Sequence, residues 1–355
     1  MTDATVMGWD LGGAHVKAAL VSGGRVRGVW QRPCPLWQDP GALPRTVADL
    51  ANAASNAGTH AVTMTGELAD VFADRAQGVR ALLDMLQSSV PAQRWLVYAH
   101  PPRFLAQREV LRRPLAVASM NWSATAAWVA RQVPDALLVD IGSTTTDLVP
   151  LRAGAVTAHG VTDAQRLASE ELVYTGVVRT PVMAIAGRIP FDGAWHAPMA
   201  EHFATSADIY RLTRELPVGA DQLPSADGAG KSRRESARRF ARMLGRDFEM
   251  APMAAWERCA RFLAEAQLWS LHQACERVLS REAMPSRAPI VGAGVGRFVA
   301  RKLAQRLRRP YRDFSALVPA SGADAAWIAN CAPAVAVALL ADSSSKGTGR
   351  ARVGR

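Results

Sequence analysis

The hydrophobic period changes several times along the chain, and each change predicts an element. Residues 5–34 alternate in short runs around the Gly23-Gly24 turn, with Val26, Gly28 and Trp30 in step, which predicts three successive strands. From 40 to 57 the spacing lengthens, and Leu43, Val47, Leu50 and Ala54 share one helical side. A strand at 60–65, a short helix at 67–72, an amphipathic helix at 79–90 and a strand at 94–99 follow. Another strand is expected at 115–119 and a helix at 123–133. Strands and helices that alternate in this way predict an α/β lobe.

The pattern then starts again. Leu137, Leu138 and Val139 open a second strand series that runs to about 159. Residues 175–255 differ in texture, with Pro181, Pro190, Pro198, Pro217, Pro224 and Pro252 among polar turns. They read as an insertion carrying helices at 206–216 and 232–244. A long helix at 254–279, a strand at 289–292, a helix at 297–308 and a small-residue-rich helix at 325–340 complete the chain. The expected organisation is a first lobe at 1–134 and a second at 135–324 with its insertion at about 175–255. A C-terminal helix at 325–342 packs back on the core, and 343–355 is a disordered basic tail.

Composition narrows the classes. With 355 residues, 49% apolar and 21% charged, the chain suits about two soluble domains. The apolar run at 332–341 is too short to span a bilayer, and no basic-then-apolar leader precedes residue 6. Cys34, Cys259, Cys275 and Cys331 form no CxxC pair, so a disulfide framework and a zinc ribbon are both disfavoured. The histidines, His196 and His202 included, lack metalloprotease spacing. A cytoplasmic location is the expectation. The net charge of +11 gathers at 231–246, 297–312 and 346–355. Without a nucleic-acid module beside it, that charge reads as solvated arginine faces, so neither nucleic acid nor membrane is an expected partner.

Two stretches carry the chemistry. Gly8-Trp-Asp10-Leu-Gly12-Gly13-Ala-His15-Val-Lys17 aligns with Val139-Asp140-Ile-Gly142-Ser143-Thr144-Thr145-Thr146-Asp147, so that Asp10 matches Asp140, Gly12 matches Gly142 and Lys17 matches Asp147. A strand, a tight glycine turn and a second strand fit both. Such turns present backbone N–H groups to an anion, and a carboxylate beside them can hold the metal that accompanies a phosphate. The first stretch alone also suits an ordinary hairpin. The hydroxyls of Ser143 and Thr144 to Thr146 between two carboxylates are poor strand-packing material and good phosphate ligands. A site in a cleft between two related lobes is expected. A third turn, Ile290-Val-Gly292-Ala-Gly294-Val-Gly296-Arg297, opens a helix but departs from a dinucleotide fingerprint at Arg297. It suits either an anion or adenine-like ring at the helix start, or close strand–helix packing. Ser225-Ala-Asp227-Gly228-Ala-Gly230-Lys231-Ser232 only imitates a P-loop, since Ser225 replaces the leading glycine; Asp227 remains a candidate cleft carboxylate. His15 and His100 are candidate cleft histidines.

The three turns in this order resemble the acetate/sugar kinase–Hsp70–actin superfamily. Asp140 to Asp147 looks like its hydantoinase/oxoprolinase branch. Met64-Thr-Gly66-Glu67-Leu, Ala118-Ser-Met-Asn121-Trp122, Glu171-Leu-Val-Tyr174-Thr-Gly176-Val-Val-Arg179-Thr-Pro181, Ala204-Thr-Ser-Ala-Asp208-Ile-Tyr210 and Ser225-Ala-Asp227-Gly228 sharpen this. Together they resemble the tetrahydromethanopterin-linked C1-transfer proteins of methylotrophs, which are similar to archaeal methanofuran-pathway synthases. The resemblance implies a two-lobed actin-like, sugar-kinase-like (duplicated ribonuclease H-like) α/β fold with an inserted helical region in the second lobe. It implies a transferase that joins an aminomethylfuran-methyl diphosphate to the phenol of a tyramine or tyrosine-type acceptor and releases pyrophosphate. In that frame Asp10, Asp140 and Asp147 hold Mg²⁺. Gly12, Gly13, His15, Lys17, Gly142, Ser143, Thr144, Thr145, Thr146, Gly292 and Gly294 bind phosphate, and Asp227, Asp208 or Glu67 takes the phenol's proton. ATP or another nucleotide is a further candidate occupant, and a homodimer a candidate assembly. Two competing readings stand beside this one: an ATP-dependent amidohydrolase or small-molecule kinase of the same fold, and a nucleotide-sensing scaffold.

Overall fold

Strand β1 (Thr5–Leu11) runs straight into the chemistry, and β2 (His15–Ser22) and β3 (Arg25–Pro33) fold back from it as a meander. After them come α1 (Ala42–Asn52), β4 (Thr59–Met64), α2 (Arg75–Ser89), β5 (Arg94–Ala99), β6 (Arg103–Leu105), α3 (Gln107–Arg112) and α4 (Asn121–Gln132). This computed structural model describes residues 5–52, 57–90 and 94–350, the side chains of 345–350 aside. The first sheet has the order β3-β2-β1-β4-β5-β6. β1 pairs antiparallel with β2 and parallel with β4, so both its edges are covered. Helix α1 buries Leu43, Val47 and Leu50, and α2 buries Val79, Leu82, Leu83 and Leu86; with Trp9, Leu11 and Val62 they form one apolar core. Asp74 starts α2 by accepting from the Gln77 N–H, which satisfies one of the helix's orphan donors.

The second series comprises β7 (Ala136–Ile141), β8 (Thr146–Arg152), β9 (Ala155–Val156), α5 (Asp163–Ser169), β10 (Leu172–Val173), β11 (Ile189–Phe191), β12 (Ala194–His196), α6 (Ser206–Leu212) and α7 (Arg233–Met243). Next come α8 (Met253–Glu282), β13 (Ile290–Ala293), α9 (Arg297–Arg306) and β14 (Tyr311–Asp313). Its sheet order is β10-β8-β7-β13-β14, with β7 and β13 parallel. The central motif of the first sheet, a hairpin with a parallel strand on its far side, therefore recurs. Its core gathers Leu137, Val139, Ile141, Tyr210, Phe240, Trp256, Leu263 and Leu271, and α6, α7 and the β11–β12 hairpin of the insertion belong to it.

The chain ends with α10 (Ala325–Asn330) and α11 (Ala332–Arg350). Helix α11 lies on β1, β2 and β4 with its alanines and valines buried. A Cβ at Gly8 would stand 2.1 Å from the Ala334 carbonyl oxygen, so this approach requires glycine. Two compact units result: Met1–Asp135 with Leu151–Thr157 and Asp313–Arg355, and Ala136–Pro150 with Ala158–Arg312. Among the described residues no helix is long and apolar enough to cross a membrane.

Several elements differ from the sequence reading. The strand expected at 115–119 is a 3-10 turn at Pro114–Ala116, because proline has no N–H for a ladder and its fixed φ suits the first turn of a helix. The helix expected at 206–216 stops at Leu212, where Arg214 turns left-handed at φ 63°. The final helix is broken at Cys331, two residues before Pro333, and the chain rejoins the first unit at Asp313 rather than at 325. Helix continues to Arg350, past the start of the tail expected at 343, and 351–355 lie outside the described residues. Of the helix expected at 40–57, Ala42–Asn52 is helical, and 53–56 lie outside the described residues.

Candidate active site

In the first unit, β1 and β2 pair so that Asp10 stands opposite Lys17. Lys17 Nζ lies 3.4 Å from Asp10 Oδ2, and the carboxylate side chain is only 4% exposed. The turn closes by a hydrogen bond from the Gly12 N–H to the His15 carbonyl at 3.0 Å. A Cβ on Gly12 would come within 2.9 Å of that same oxygen, whereas one on Gly13 would meet open space. Leu36 N–H and Cys34 N–H donate to the Gly13 and Ala14 carbonyls and pin the turn from behind. His15 is buried beside it. Glu67 is buried in the short helix after β4, at Gly66–Leu68, and its Oε1 accepts from Ser119 Oγ at 2.9 Å. Gly66 touches the backbone of Leu11 and Gly12, which brings Glu67 into the neighbourhood of the first turn. Ser119 holds a left-handed φ of 53°, an uncommon state for serine. His100 is exposed.

The second unit repeats the closure. Gly142 N–H donates to the Thr145 carbonyl at 2.8 Å, the same three-residue step as Gly12 to His15. Ser143, Thr144 and Thr145 are half-buried, and Asp140 is buried at the end of β7. Thr146 differs from expectation: its hydroxyl donates to the Thr175 carbonyl at 2.7 Å, which commits it to supporting the turn rather than to an anion. Asp147 takes a 2.8 Å ion pair from Arg166, whose guanidinium is almost wholly buried and also donates to the Glu171 carbonyl. Behind the turn, the N–H groups of Val177, Val178 and Arg179 donate to the Gly142 and Ser143 carbonyls. Arg179 Nη1 comes within 3.5 Å of Thr144 Oγ1, and burial pulls its guanidinium below its ordinary pKa.

The third glycine turn has a packing explanation. A Cβ on Gly294 (φ 77°) would lie 2.2 Å from the Ile141 carbonyl oxygen and 2.5 Å from Asp140 Oδ1. Gly292 is covered by the Tyr311 ring and Gly296 by the Ile141 side chain, so the chain itself fills the space these glycines leave. Gly294 thus serves the site by letting β13 close on Asp140. The insertion carboxylates are structural as well. Arg239, fully buried, grips Asp208 at 2.7 Å and Asp227 at 3.1 Å, and Asp208 also accepts from the Thr205 N–H at the start of α6. Desolvation pushes the Asp227 carboxyl up, but the Ala229 N–H, Arg239 and Ser225 together hold it below the usual carboxylate range. The P-loop imitation is a clasp: Lys231 Nζ donates to the Asp221 and Leu223 carbonyls and pairs with the Asp221 carboxylate.

Arg166 and Gln267 escaped the sequence reading, and Arg179 stood in a motif without a role. Arg166 gives no local signal. Gln267 gives one, a polar residue on the apolar stripe of α8 beside Leu263, Leu268 and Leu271. Among the described residues no group of three or more His, Cys, Asp or Glu side chains gathers into a metal cluster. Each turn nonetheless has one buried carboxylate ahead of its closure, and the second adds the hydroxyl oxygens of Ser143, Thr144 and Thr145. That suits a hard cation such as Mg²⁺, which keeps waters and substrate oxygens around one or two carboxylates.

The chain matches the hydantoinase/oxoprolinase family over residues 58–320. It is 33% identical over 246 residues, 69% of this chain and 73% of the relative, to the (4-{4-[2-(gamma-L-glutamylamino)ethyl]phenoxymethyl}furan-2-yl)methanamine synthase of Methanocaldococcus jannaschii. A protein of the same name from Methanococcus vannielii is 33% identical over 111 residues, 31% of this chain and 50% of that one. Among solved structures, nucleotide-free acetone carboxylase superposes with a TM-score of 0.54 at 11% identity, over 95% of this chain and 70% of that one. The chain accordingly shares a mixed α/β fold with acetone carboxylase. With its match over most of its length and a curated relative at one-third identity, this chain belongs to the hydantoinase/oxoprolinase family.

Proposed function

We propose that this chain is a transferase of methanofuran-type cofactor biosynthesis, a synthase that makes an aryl ether. The observation that carries the reading is the 33% identity to a synthase whose name describes a phenoxymethyl-furan. The duplicated turn, closing at Gly12–His15 and at Gly142–Thr145 with Asp10 and Asp140 just ahead, supports it as a diphosphate grip. The electrophile is an aminomethylfuran-methyl diphosphate, and the acceptor is the phenol of a glutamyl-tyramine or a tyrosine-type molecule. The product serves one-carbon metabolism as a carrier.

Phenol and electrophile balance as follows. The phenol oxygen forms a bond to the furan methylene, the methylene–oxygen bond to diphosphate breaks, and its electron pair leaves with the diphosphate. The phenol's proton passes to a base. The furan ring spreads positive charge at the methylene, so the displacement is loose and the protein's task is positioning and charge stabilisation. In this reading each turn is a grip for diphosphate oxygens in its own right: the first through its N–H groups with Lys17 and His15, the second through its N–H groups with Ser143, Thr144 and Thr145 and with Arg179 beside Thr144. Asp10 at the first turn, and Asp140 with Asp147 at the second, are the residues that would hold Mg²⁺ at their own turn, directly or through water, and the ion would neutralise leaving-group charge. Since Asp208 and Asp227 are engaged by Arg239, Glu67 is the proposed base, oriented by Ser119.

The test is product analysis by mass spectrometry from purified protein, the furan diphosphate, a phenolic amine and Mg²⁺, with pyrophosphate quantified. Ether and pyrophosphate should appear in equal amounts without ATP. If ether forms as well in a variant carrying both Asp10→Ala and Asp140→Ala, the proposal is wrong. Product only when ATP is supplied favours the ATP-dependent amidohydrolase or kinase reading.

A further inference from the structure

A buried polar chain stands behind the second turn, and the reaction just described gives it no role. Gln267 of α8 is 3% exposed. Its Nε2 donates to the Gly176 carbonyl at 2.9 Å and to Thr175 Oγ1 at 2.6 Å. A carbonyl can only accept, so the amide nitrogen must face Gly176 and Oε1 must face the other way. There it accepts from the Tyr210 hydroxyl at 2.6 Å. Burial pushes the Tyr210 phenol up, which keeps it a donor. The Gly176 peptide is clasped from a second side by Thr180, whose Oγ1 accepts from Gly176 N–H at 2.8 Å and donates to its carbonyl at 3.0 Å.

What this clasp holds is the strap that aims the turn. A Cβ on Gly176 would come within 2.6 Å of the Ser143 carbonyl oxygen and the Thr144 nitrogen, so strap and turn are in direct backbone contact. The next three N–H groups, of Val177, Val178 and Arg179, take the carbonyls of Gly142 and Ser143. In a trans peptide the N–H lies opposite the C=O. With both carbonyls drawn to the strap, the N–H groups of Ser143 and Thr144 lie on the edge away from it.

We propose that Gln267, backed by Tyr210, is a positioning residue for diphosphate: through Thr175 and Gly176 it sets the strap that turns the Ser143 and Thr144 N–H groups toward the anion. The inference rests on the reading that this turn binds diphosphate. It predicts an effect confined to one substrate. A residue that only filled core would change stability and leave relative affinities alone.

The test is calorimetric titration of the full chain with inorganic pyrophosphate and Mg²⁺, alongside steady-state kinetics. Tyr210→Phe keeps the ring, which meets Phe298 edge-on at a centroid separation of 5.1 Å, and removes the hydroxyl. Gln267→Met keeps the volume and removes both amide groups. Each should weaken pyrophosphate binding about tenfold and raise KM for the furan diphosphate alike, with KM for the phenol unchanged. Val278→Ala, a buried packing change farther along α8, should lower thermal stability and leave pyrophosphate affinity intact. If Gln267→Met does not fold, Tyr210→Phe decides. Wild-type affinity in the folded variants, or losses no larger than that of Val278→Ala, overturn the inference alone. A wild-type chain that binds no pyrophosphate overturns the diphosphate reading of the turn and the inference with it.

Discussion

The two glycine turns share a backbone and differ in charge. Each closes by an N–H to carbonyl bond three residues on, Gly12 to His15 and Gly142 to Thr145, with a buried aspartate two residues before the glycine. In the first, the aspartate's cation comes from its own hairpin, Lys17 opposite Asp10. In the second, the matching position is Asp147, and its cation, Arg166, comes from α5. The first turn is pinned by Cys34 and Leu36, close in sequence, and the second by a strap of 177–179 that is itself held by α8. A duplicated scaffold thus kept the turn that presents N–H groups and let the surrounding charges diverge. The first turn is held by residues near it in sequence and carries a lysine ion-paired to its aspartate. The second is rich in hydroxyls and depends on distant residues for its shape.

This contrast can be broken or sharpened by substitution. The largest effect expected is from Asp140→Ala, which should lower kcat/KM for ether formation by about a thousandfold, read by product mass spectrometry. Next comes Gly294→Ala, which places a Cβ 2.2 Å from the Ile141 carbonyl oxygen at a left-handed φ. It should lower stability by about 3 kcal/mol in urea unfolding, and no equivalent cost attaches to Gly13→Ala, whose Cβ meets open space. Lys17→Met should raise KM for the diphosphate about thirtyfold, and pyrophosphate titration should follow it. If the two turns are interchangeable, Ser143→Ala will match that loss, and the contrast drawn here fails.

Smaller effects probe what lies behind the first turn. Ser119→Gly relieves the left-handed φ of 53° while removing the hydroxyl that reaches Glu67. Stability should hold or rise, and kcat should fall about tenfold with substrate KM values unchanged. A parallel fall in thermal stability and rate would instead make Ser119 a packing residue. The smallest effect is a pH dependence. His60 Nδ1 accepts from Trp9 Nε1 at 2.9 Å and Nε2 faces the Ala57 carbonyl, so the ring is neutral, and burial holds its pKa below the ordinary 6.5. The unfolded chain therefore binds that proton first. Stability from this histidine is intact above pH 6.5 and is lost progressively as the pH falls below it. Urea midpoints at about pH 7.5 and about pH 5.5 should differ more for wild type than for His60→Gln.

Much of this was legible before any coordinates. The strand–turn–strand units at Asp10 and Asp140 follow from period-two apolar runs broken by glycine, and those signals are contained within a dozen residues. Long helices such as α8 were legible for the same reason, and the hydroxyl run at Ser143 to Thr146 marked a candidate site because it does not suit strand packing. Misreadings came where one local signal had two structural outcomes. Leu115 to Ser119 read as a strand, whereas Pro114 opens a turn there, and the third glycine turn suited both a ligand and close packing.

What no local pattern encodes is which distant residue meets which. Asp208 and Asp227 looked like any other cleft carboxylates, and only the fold brings Arg239 to both of them. Gln267 lies 92 residues from Thr175, yet it governs the strap under the second turn. Short-range sequence dictates where the backbone turns because dihedral preference and side-chain period act between neighbours. Charge pairing and burial are set by contacts across the chain, so whether a carboxylate is held in an ion pair or left to do chemistry was settled by tertiary structure.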